Sequence, residues 1–257
     1  MEARIVGAHQ CETLDRRFTT ILVDETLAVD AGSLAAGLTL DAQLRVTDVL
    51  ITHQHWDHVK DLAGFGFNLL GAQQTATVYC TEQVRQVVAD TLLNPRYWMD
   101  FFTGPDPSRP VYRQRRVDVG EEFAVGPYRV VSVPVNHSVP TTGYEIADPN
   151  GRKLYYTSDN GPGCGQFWIA SRPDVLVTEC TYSNVEAEAA ARHGHLCPRY
   201  LEDALAVFRA SRGYLPRVVL IHVNPFHEER IRIEVAEVAR RLQASIEVGW
   251  EGQTFTV

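Results

Sequence analysis

The stretch His53-Gln54-His55-Trp56-Asp57-His58 places four potential metal ligands within six residues. If the chain stays extended, His53 and His55 share a face, because side chains alternate with a period of two. Asp57 and His58 are adjacent and point in different directions, so they can serve a second ion a few ångströms from the first. Nitrogen and carboxylate donors without thiolate suit Zn²⁺ first, with Mn²⁺ and Fe²⁺ as alternatives. Coincidence would have to assemble three histidines and an aspartate at this spacing.

Such a cluster needs elements that deliver further ligands to one place. Asp48–Thr52 is an apolar strand ending at His53, and Val131–Val135 is soon followed by His137. Leu154–Ser158 ends at Asp159, and Val218–Ile221 ends at His222. Four strands of buried type thus each bring a ligand-type side chain to a C-terminal end, where sites assemble in layered α/β proteins. Asp174–Thr178, ending at Glu179, echoes Asp48–Thr52. Further strands are expected at 3–7, 19–23, 27–30, 76–80, 111–119, 122–125, 142–147 and 253–257. Helical periodicity of apolar residues marks 81–93, 198–211 and 228–243. Two runs of strands, separated and followed by helices, predict sheets covered by helices in one domain spanning 1–257.

The motif His-x-His-x-Asp-His directly after a strand resembles the metallo-β-lactamase superfamily. The resemblance runs along the chain through Asn136-His137-Ser138, Ser158-Asp159 with Gly161, and Ile221-His222. It implies an α/β fold, the four-layer αββα sandwich, with the site along one edge of two sheets. It also implies that His53, His55 and His137 bind one divalent ion, that Asp57, His58 and His222 bind the other, and that Asp159 bridges both.

Departures separate the branches. Asp159 stands where the true lactamases lack a bridging carboxylate. His55 stands where flavo-diiron reductases place Glu. Too little chain follows His222 for the helical substrate domain of glyoxalase II-type thioesterases. The phosphodiesterase branch fits best. Thr178-Glu179-Cys180-Thr181 precedes Gly194-His195-Leu196-Cys197-Pro198, which resembles the class II cyclic-nucleotide phosphodiesterases. Pro134–Ser138 and Gly249-Trp250-Glu251-Gly252 resemble the cyclic-phosphate phosphodiesterase of phosphonate breakdown, whose cysteine-rich zinc site has no counterpart here. Ribonuclease Z shares the site too. Its tRNA-gripping arm, between the third histidine and the bridging aspartate, has no room between His137 and Asp159.

The expected reaction is attack of a metal-bridging hydroxide on a small phosphodiester, a cyclic nucleotide or related cyclic phosphate. His195 is the expected general acid, with His193 as the competitor, and Asp57 holds the nucleophile's proton beyond its ligand role. The alternatives are a ribonuclease Z-like RNA phosphodiesterase, an ester, lactone or thioester hydrolase on the same site, and a sensor without turnover. Asp30 and Glu179 either orient ligands or satisfy loop amides. His9 and His227 read as ordinary loop or helix-start residues. Trp56, Tyr97 and Trp98 either stack on a ring or pack, and residues 94–110 form a lid, a dimer contact or a satellite core.

Bulk properties agree with this reading. The 257 residues are 45% hydrophobic, ordinary for a globular chain. A formal charge of −8 argues against stable nucleic-acid binding. The stretch Arg109, Arg113, Arg115 and Arg116 is the exception, read as a solvated strand face. No apolar run is long enough for a membrane span. The start at Met1 has no signal-peptide pattern, and the five scattered cysteines suit reduced thiols, so the expected location is cytoplasmic. Cys197, just before a helix, is a candidate for a lowered pKa. A homodimer, common among such relatives, is the expected assembly beyond the monomer.

Overall fold

The computed structural model describes all residues, Met1–Val257. Its strands are β1 (Glu2–Gly7), β2 (Thr20–Val23), β3 (Leu27–Val29), β4 (Asp48–Leu50), β5 (Ala76–Cys80), β6 (Tyr112–Arg116), β7 (Glu122–Val125), β8 (Tyr128–Val135), β9 (Thr141–Ala147), β10 (Lys153–Tyr156), β11 (Val175–Glu179), β12 (Arg217–Ile221), β13 (Ile246–Val248) and β14 (Thr254–Thr256). Its helices are α1 (Leu40–Gln43), α2 (Trp56–Val59), α3 (Leu62–Gly71), α4 (Glu82–Thr91), α5 (Gly165–Trp168), α6 (Ala187–His193), α7 (Pro198–Arg212) and α8 (Glu228–Leu242).

The strands form two seven-stranded sheets, ordered β14-β1-β2-β3-β4-β5-β6 and β13-β12-β11-β10-β9-β8-β7. In each, one part is antiparallel and the rest parallel: β3 through β6 run parallel in the first, β10 through β13 in the second. Period-two alternation sorts the apolar side chains into three layers. Ile21, Val23, Val219 and Ile221 face the core between the sheets. Leu22, Val49 and Val78 face outward against Leu62, Phe65 and Val88 of the helices on one side. Val218 and Leu220 face Leu205, Phe208, Val235 and Val238 on the other. This is the αββα sandwich. Central strands buried on both faces read as unbroken apolar runs for that reason.

The long helices follow from their stripes. In α7, Leu201, Ala204, Leu205 and Phe208 recur at three- and four-residue spacing, Pro198 opens the first turn, and Gly213 ends the helix at φ 79°. Helices α1, α2, α3, α5 and α6 and strand β13 are additions to the sequence expectation. The sequence of α3, Leu62-Ala63-Gly64-Phe65-Gly66-Phe67, hides its helix behind glycines. Gly66 is there because a Cβ would lie 2.4 Å from the Phe101 ring. The expected strand 111–119 shortens to Tyr112–Arg116, and 27–30 ends at Val29, because Asp30 turns out of the strand at φ 59°.

Segment 94–110 divides. Phe101 is buried against Tyr112, whereas Tyr97, Trp98 and Met99 stay exposed, Trp98 beside Phe67 at 5.8 Å. Arg115 and Arg116 pair with Glu121 and Asp118 on a solvated edge strand. Burial raises the Cys197 thiol pKa rather than lowering it, which removes that residue as an activated nucleophile. No helix is long and apolar enough to cross a membrane.

The contact of α5 with α7 gives a direct test of the packing. A Cβ on Gly165 would sit 2.6 Å from the Ala204 carbonyl oxygen and 2.8 Å from its Cα, and backbone cannot give way. Gly165→Ala is expected to cost about 1–3 kcal/mol, lowering the melting temperature by roughly 2–4 °C per kcal/mol. Gly71→Ala, with nothing within 4 Å of its Cβ, is the control and is expected not to lower it. Equal melting temperatures for the two variants would contradict the close α5–α7 approach.

Candidate metal centre

The parallel strands bring their C-terminal ends to one edge of the sandwich. His53 follows β4, Asp30 follows β3, Asp159 follows β10, Glu179 ends β11 and His222 follows β12. His137 follows β8, which runs in the same direction as β10. His55 closes the extended segment as N-cap of α2, and the first turn of that helix carries Asp57 and His58. Three non-glycine residues there, Asp30, Ser158 and His222, have positive φ (59°, 60° and 57°). This conformation costs of order 1–3 kcal/mol each and gathers at functional sites, where it aims side chains.

All the sequence-predicted site residues converge. The donor atoms of His53, His55, His137 and Asp159 lie within 4.8 Å of one another, as do those of Asp57, His58 and His222. The helical turn corrects the expectation that Asp57 and His58 diverge, since Asp57 Oδ2 lies 3.7 Å from His58 Nε2. Asp159 Oδ2 stands between the groups, 3.8 Å from His53 Nε2, 3.9 Å from His137 Nε2, 3.4 Å from His58 Nε2 and 3.5 Å from His222 Nε2. His195 joins the cluster, its ring stacked on His222 at 5.3 Å and its Nδ1 4.0 Å from Asp159 Oδ2. His193 does not: it is exposed at the end of α6, and Tyr182 OH meets its Nδ1 at 2.7 Å.

The far nitrogen of each inner ring is engaged. His58 Nδ1–H donates to Asp30 Oδ2 at 2.7 Å, and His137 Nδ1–H to the Gly194 carbonyl at 2.7 Å. His53 Nδ1 meets Thr52 Oγ1 at 3.0 Å, and the Thr52 hydroxyl donates to Asp30 at 3.0 Å. His222 Nδ1 meets Thr181 Oγ1 at 2.7 Å, and the Thr181 hydroxyl donates to Glu179 Oε2 at 2.6 Å. Each of these four rings thereby presents Nε2 to the cluster. Such partners fix ring orientation and raise donor strength around metals. Gly194 is required where it is: at φ 73°, a Cβ there would lie 3.2 Å from His137 Nδ1 and 2.9 Å from Ser138 N.

The electrostatics fit cations. Burial, then His58, drives the His53 pKa well down, and burial also lowers His55 and His137, so their lone pairs are free. Burial opposes ionisation of Asp159, but His222 and His58 outweigh it and hold the carboxyl well below the usual range. Burial likewise opposes ionisation of Asp57, and His58 and His222 bring it to about 2. Burial disfavours the His58 imidazolium, yet Asp159, Asp30 and Asp57 together raise its pKa well above normal. His53 Nε2, His58 Nε2 and Asp159 Oδ1 are buried with no hydrogen-bond partner. Buried polar atoms are otherwise almost always satisfied, so this donor set fits divalent ions.

Behind the cluster, Glu179 is 1% exposed. It accepts from His195 Nδ1 at 2.8 Å, Asn160 N at 2.9 Å, Leu196 N at 3.2 Å and the Thr181 hydroxyl. Burial disfavours protonated His195, but the Glu179 carboxylate overcomes it and carries the pKa to about 9. Sequence reasoning did not single out Thr52, Thr181, the Gly194 carbonyl or Tyr156, whose hydroxyl donates to Asp30 Oδ2 at 3.0 Å. A hydroxyl is too common to signal a role, although Thr52 and Thr181 each sit beside a ligand or its orienting carboxylate. His9 also differs from its expected bland loop role. It is 2% exposed and clamped between Glu251 at 2.6 Å and Glu228 at 3.3 Å, tying the first loop to α8.

Known proteins place this geometry. The family described as the beta-lactamase superfamily domain matches residues 19–223. The chain is similar to a protein named ribonuclease Z from Macrococcus caseolyticus, 21% identical over 88% of this chain and 87% of that one. Its fold is similar to unliganded yeast PDE1, with TM-score 0.83 and 16% identity over 100% of this chain and 99% of that one. It is also similar to the metallo-beta-lactamase fold protein YhfI from Bacillus subtilis, with TM-score 0.78 and 15% identity over 99% and 98%.

The Asp30 link yields a measurement. Asp30→Asn keeps the shape but removes the charge that holds His58 Nδ1–H. Zn²⁺ affinity, measured by competition with a chromophoric chelator, is expected to fall about 10–100-fold. An unchanged affinity would assign Asp30 to the fold alone.

Proposed function

The chain belongs to the beta-lactamase superfamily, and on that footing we propose that it is a metal-dependent phosphodiesterase of a small diester, a cyclic nucleotide or related cyclic phosphate. His53, His55 and His137 hold one divalent ion in this reading, Asp57, His58 and His222 hold the second, and Asp159 lies between them. Zn²⁺ suits the nitrogen and oxygen donors, with Mn²⁺ and Fe²⁺ as alternatives. When bound, such ions supply Lewis-acid polarisation of a phosphoryl oxygen and lower the pKa of water.

The chain's own contribution is to orient and to protonate. The observation that carries the reading is the Glu179–His195 pair, set against His222 and Asp159. With Nδ1 given to Glu179, only Nε2 of His195 is free to face a substrate. A carboxylate that keeps this imidazole protonated suits it to give a proton to a leaving alkoxide, a poor leaving group without one. Asp57 is ionised throughout the working range, with its side chain 20% exposed at the mouth of the site. Ionised, it is placed to accept a hydrogen bond from the attacking water and to hold that water's proton, beyond its ligand role. The burial of His53, His58 and Asp159 excludes bulk water behind the reacting group.

A second reading, RNA cleavage, is favoured by the similarity to a protein named ribonuclease Z. Against it, β9 and β10 are joined by a tight turn at Asp148–Arg152, with Gly151 N donating to Asp148 O at 2.9 Å, which leaves no room for an RNA-gripping arm there. A thioester hydrolase has less use for the His195 proton, since a thiolate leaves without one.

The test pairs substrates by leaving group. In the metal-loaded protein, His195→Ala is expected to slow a cyclic nucleotide by about 10²–10⁴-fold and bis(p-nitrophenyl) phosphate by far less, because nitrophenolate leaves unaided. Equal losses on both would make His195 a positioning residue. Turnover of precursor tRNA without turnover of either small diester would favour the RNA reading.

A further inference from the structure

The ligands proposed for the second ion come from segments that start in different sheets. Asp57 and His58 ride on α2, which follows β4 of the first sheet, whereas His222 follows β12 of the second. Asp57 Oδ2 and His222 Nε2 nevertheless meet at 3.0 Å. The segment 8–12 touches both sides of this meeting. At one end it runs beside the residue after His222. Val223 N donates to the Ala8 carbonyl at 3.1 Å, and Gln10 N donates to the Val223 carbonyl at 3.2 Å. At the other end, Glu12 Oε1 lies 2.9 Å from Nζ of Lys60, shortly after His58.

This segment is itself anchored by one side chain. His9 is 2% exposed, with Nδ1 2.6 Å from Glu251 Oε1 and Nε2 3.3 Å from Glu228 Oε2. The same Glu251 oxygen accepts from Arg17 N at 2.9 Å and from Ala8 N at 3.4 Å. Burial opposes ionisation of Glu251, but His9 and the Arg17 N–H hold its carboxyl below the usual range. Glu228 opens α8 and is fixed in turn by Arg232 at 2.7 Å and Arg16 at 3.4 Å. The backbone of His9 bridges Phe18 on one side and Val223 on the other. One ring thus joins the first loop, the β13–β14 turn and the start of α8. Both of its nitrogens are engaged, so its direction is fixed as well as its depth. Satisfied buried polar contacts of this kind rigidify what they join.

His222 needs such a frame. Its φ of 57° is a conformation that persists only where the surroundings impose it. Thr181 aims the ring, but the backbone beyond it is set by Val223, which is fully buried against segment 8–10. We propose that His9 is a positioning residue for the second ion: clamped between Glu251 and Glu228, it braces Val223 and so holds His222 Nε2 against Asp57. The inference rests on the two-ion reading. It adds that the brace serves the second ion, whereas the first, at His53, His55 and His137, does not depend on it.

The test is Zn²⁺ binding to metal-free protein, followed by competition with a chromophoric chelator that resolves two steps. His222→Ala and His55→Ala assign the steps, since each removes a proposed ligand of one ion. His9→Ala is expected to weaken the step lost in His222→Ala by about tenfold, the lower end for groups acting behind a ligand. The step lost in His55→Ala is expected to stay unchanged. His9→Asn, whose amide places an N–H where Nδ1 stands, is expected to recover most of the loss. Gly165→Ala, destabilised at the α5–α7 contact, is expected to leave both steps unchanged, which separates positioning from stability. Glu228→Ala, at the less buried end of the clamp, is expected to weaken the same step and carries the test should His9→Ala fail to fold. Equal weakening of both steps, or of neither, would overturn the proposal. Failure of the parent reading looks different: wild-type protein takes fewer than two ions, and the brace falls with it. Two ions in wild type without a selective effect at His9 and Glu228 would reject the brace alone.

Discussion

One carboxylate oxygen, Asp159 Oδ2, lies within 3.4–4.0 Å of nitrogens from His53, His58, His137, His195 and His222. Asp159 is 1% exposed. A buried charge is tolerated only when compensated, so the fold must gather compensating groups around it. The sandwich does so by ending parallel strands of both sheets at one line. Each sheet contributes one set of ring nitrogens, and Asp159, from the second sheet, reaches across to the first.

Two buried carboxylates stand behind this arrangement. Asp30 serves the first sheet's candidate ligands, accepting from His58 directly and from His53 through the Thr52 hydroxyl. Glu179 serves the second sheet's, accepting from His195 directly and from His222 through the Thr181 hydroxyl. The same device thus appears twice: strand, carboxylate, hydroxyl, ring. Positive φ at Asp30 and His222 belongs to it, because an extended residue would aim its side chain into a sheet face rather than along the edge. Packing of the sheets against their helices holds these strained turns in place.

Much of the candidate ligand set was legible because its chemistry is carried by residue type. Histidine and aspartate at strand ends are uncommon without a role, and His53 to His58 is dense enough to stand alone. Helix-covered sheets were legible from unbroken apolar strands such as Val218–Ile221, and the four-layer order from the family resemblance that His53 to His58 carries. The hydroxyl relays were not, because they depend on registers between segments far apart in sequence, such as Ser158 Oγ donating to Thr52 Oγ1 at 2.8 Å. Helix α3 escaped because its Gly66 answers to Phe101 and Tyr112, far along the chain. The tie that His9 makes was not legible because both of its partners, Glu228 and Glu251, lie at the other end of the chain.

The central claim is a two-ion centre with Asp159 between the ions. Anomalous diffraction at the zinc edge from crystals grown with Zn²⁺ tests it most directly. Two peaks per chain are predicted, one among His53, His55 and His137 and one among Asp57, His58 and His222, each beside Asp159. A single peak, or peaks on other side chains, would contradict the account.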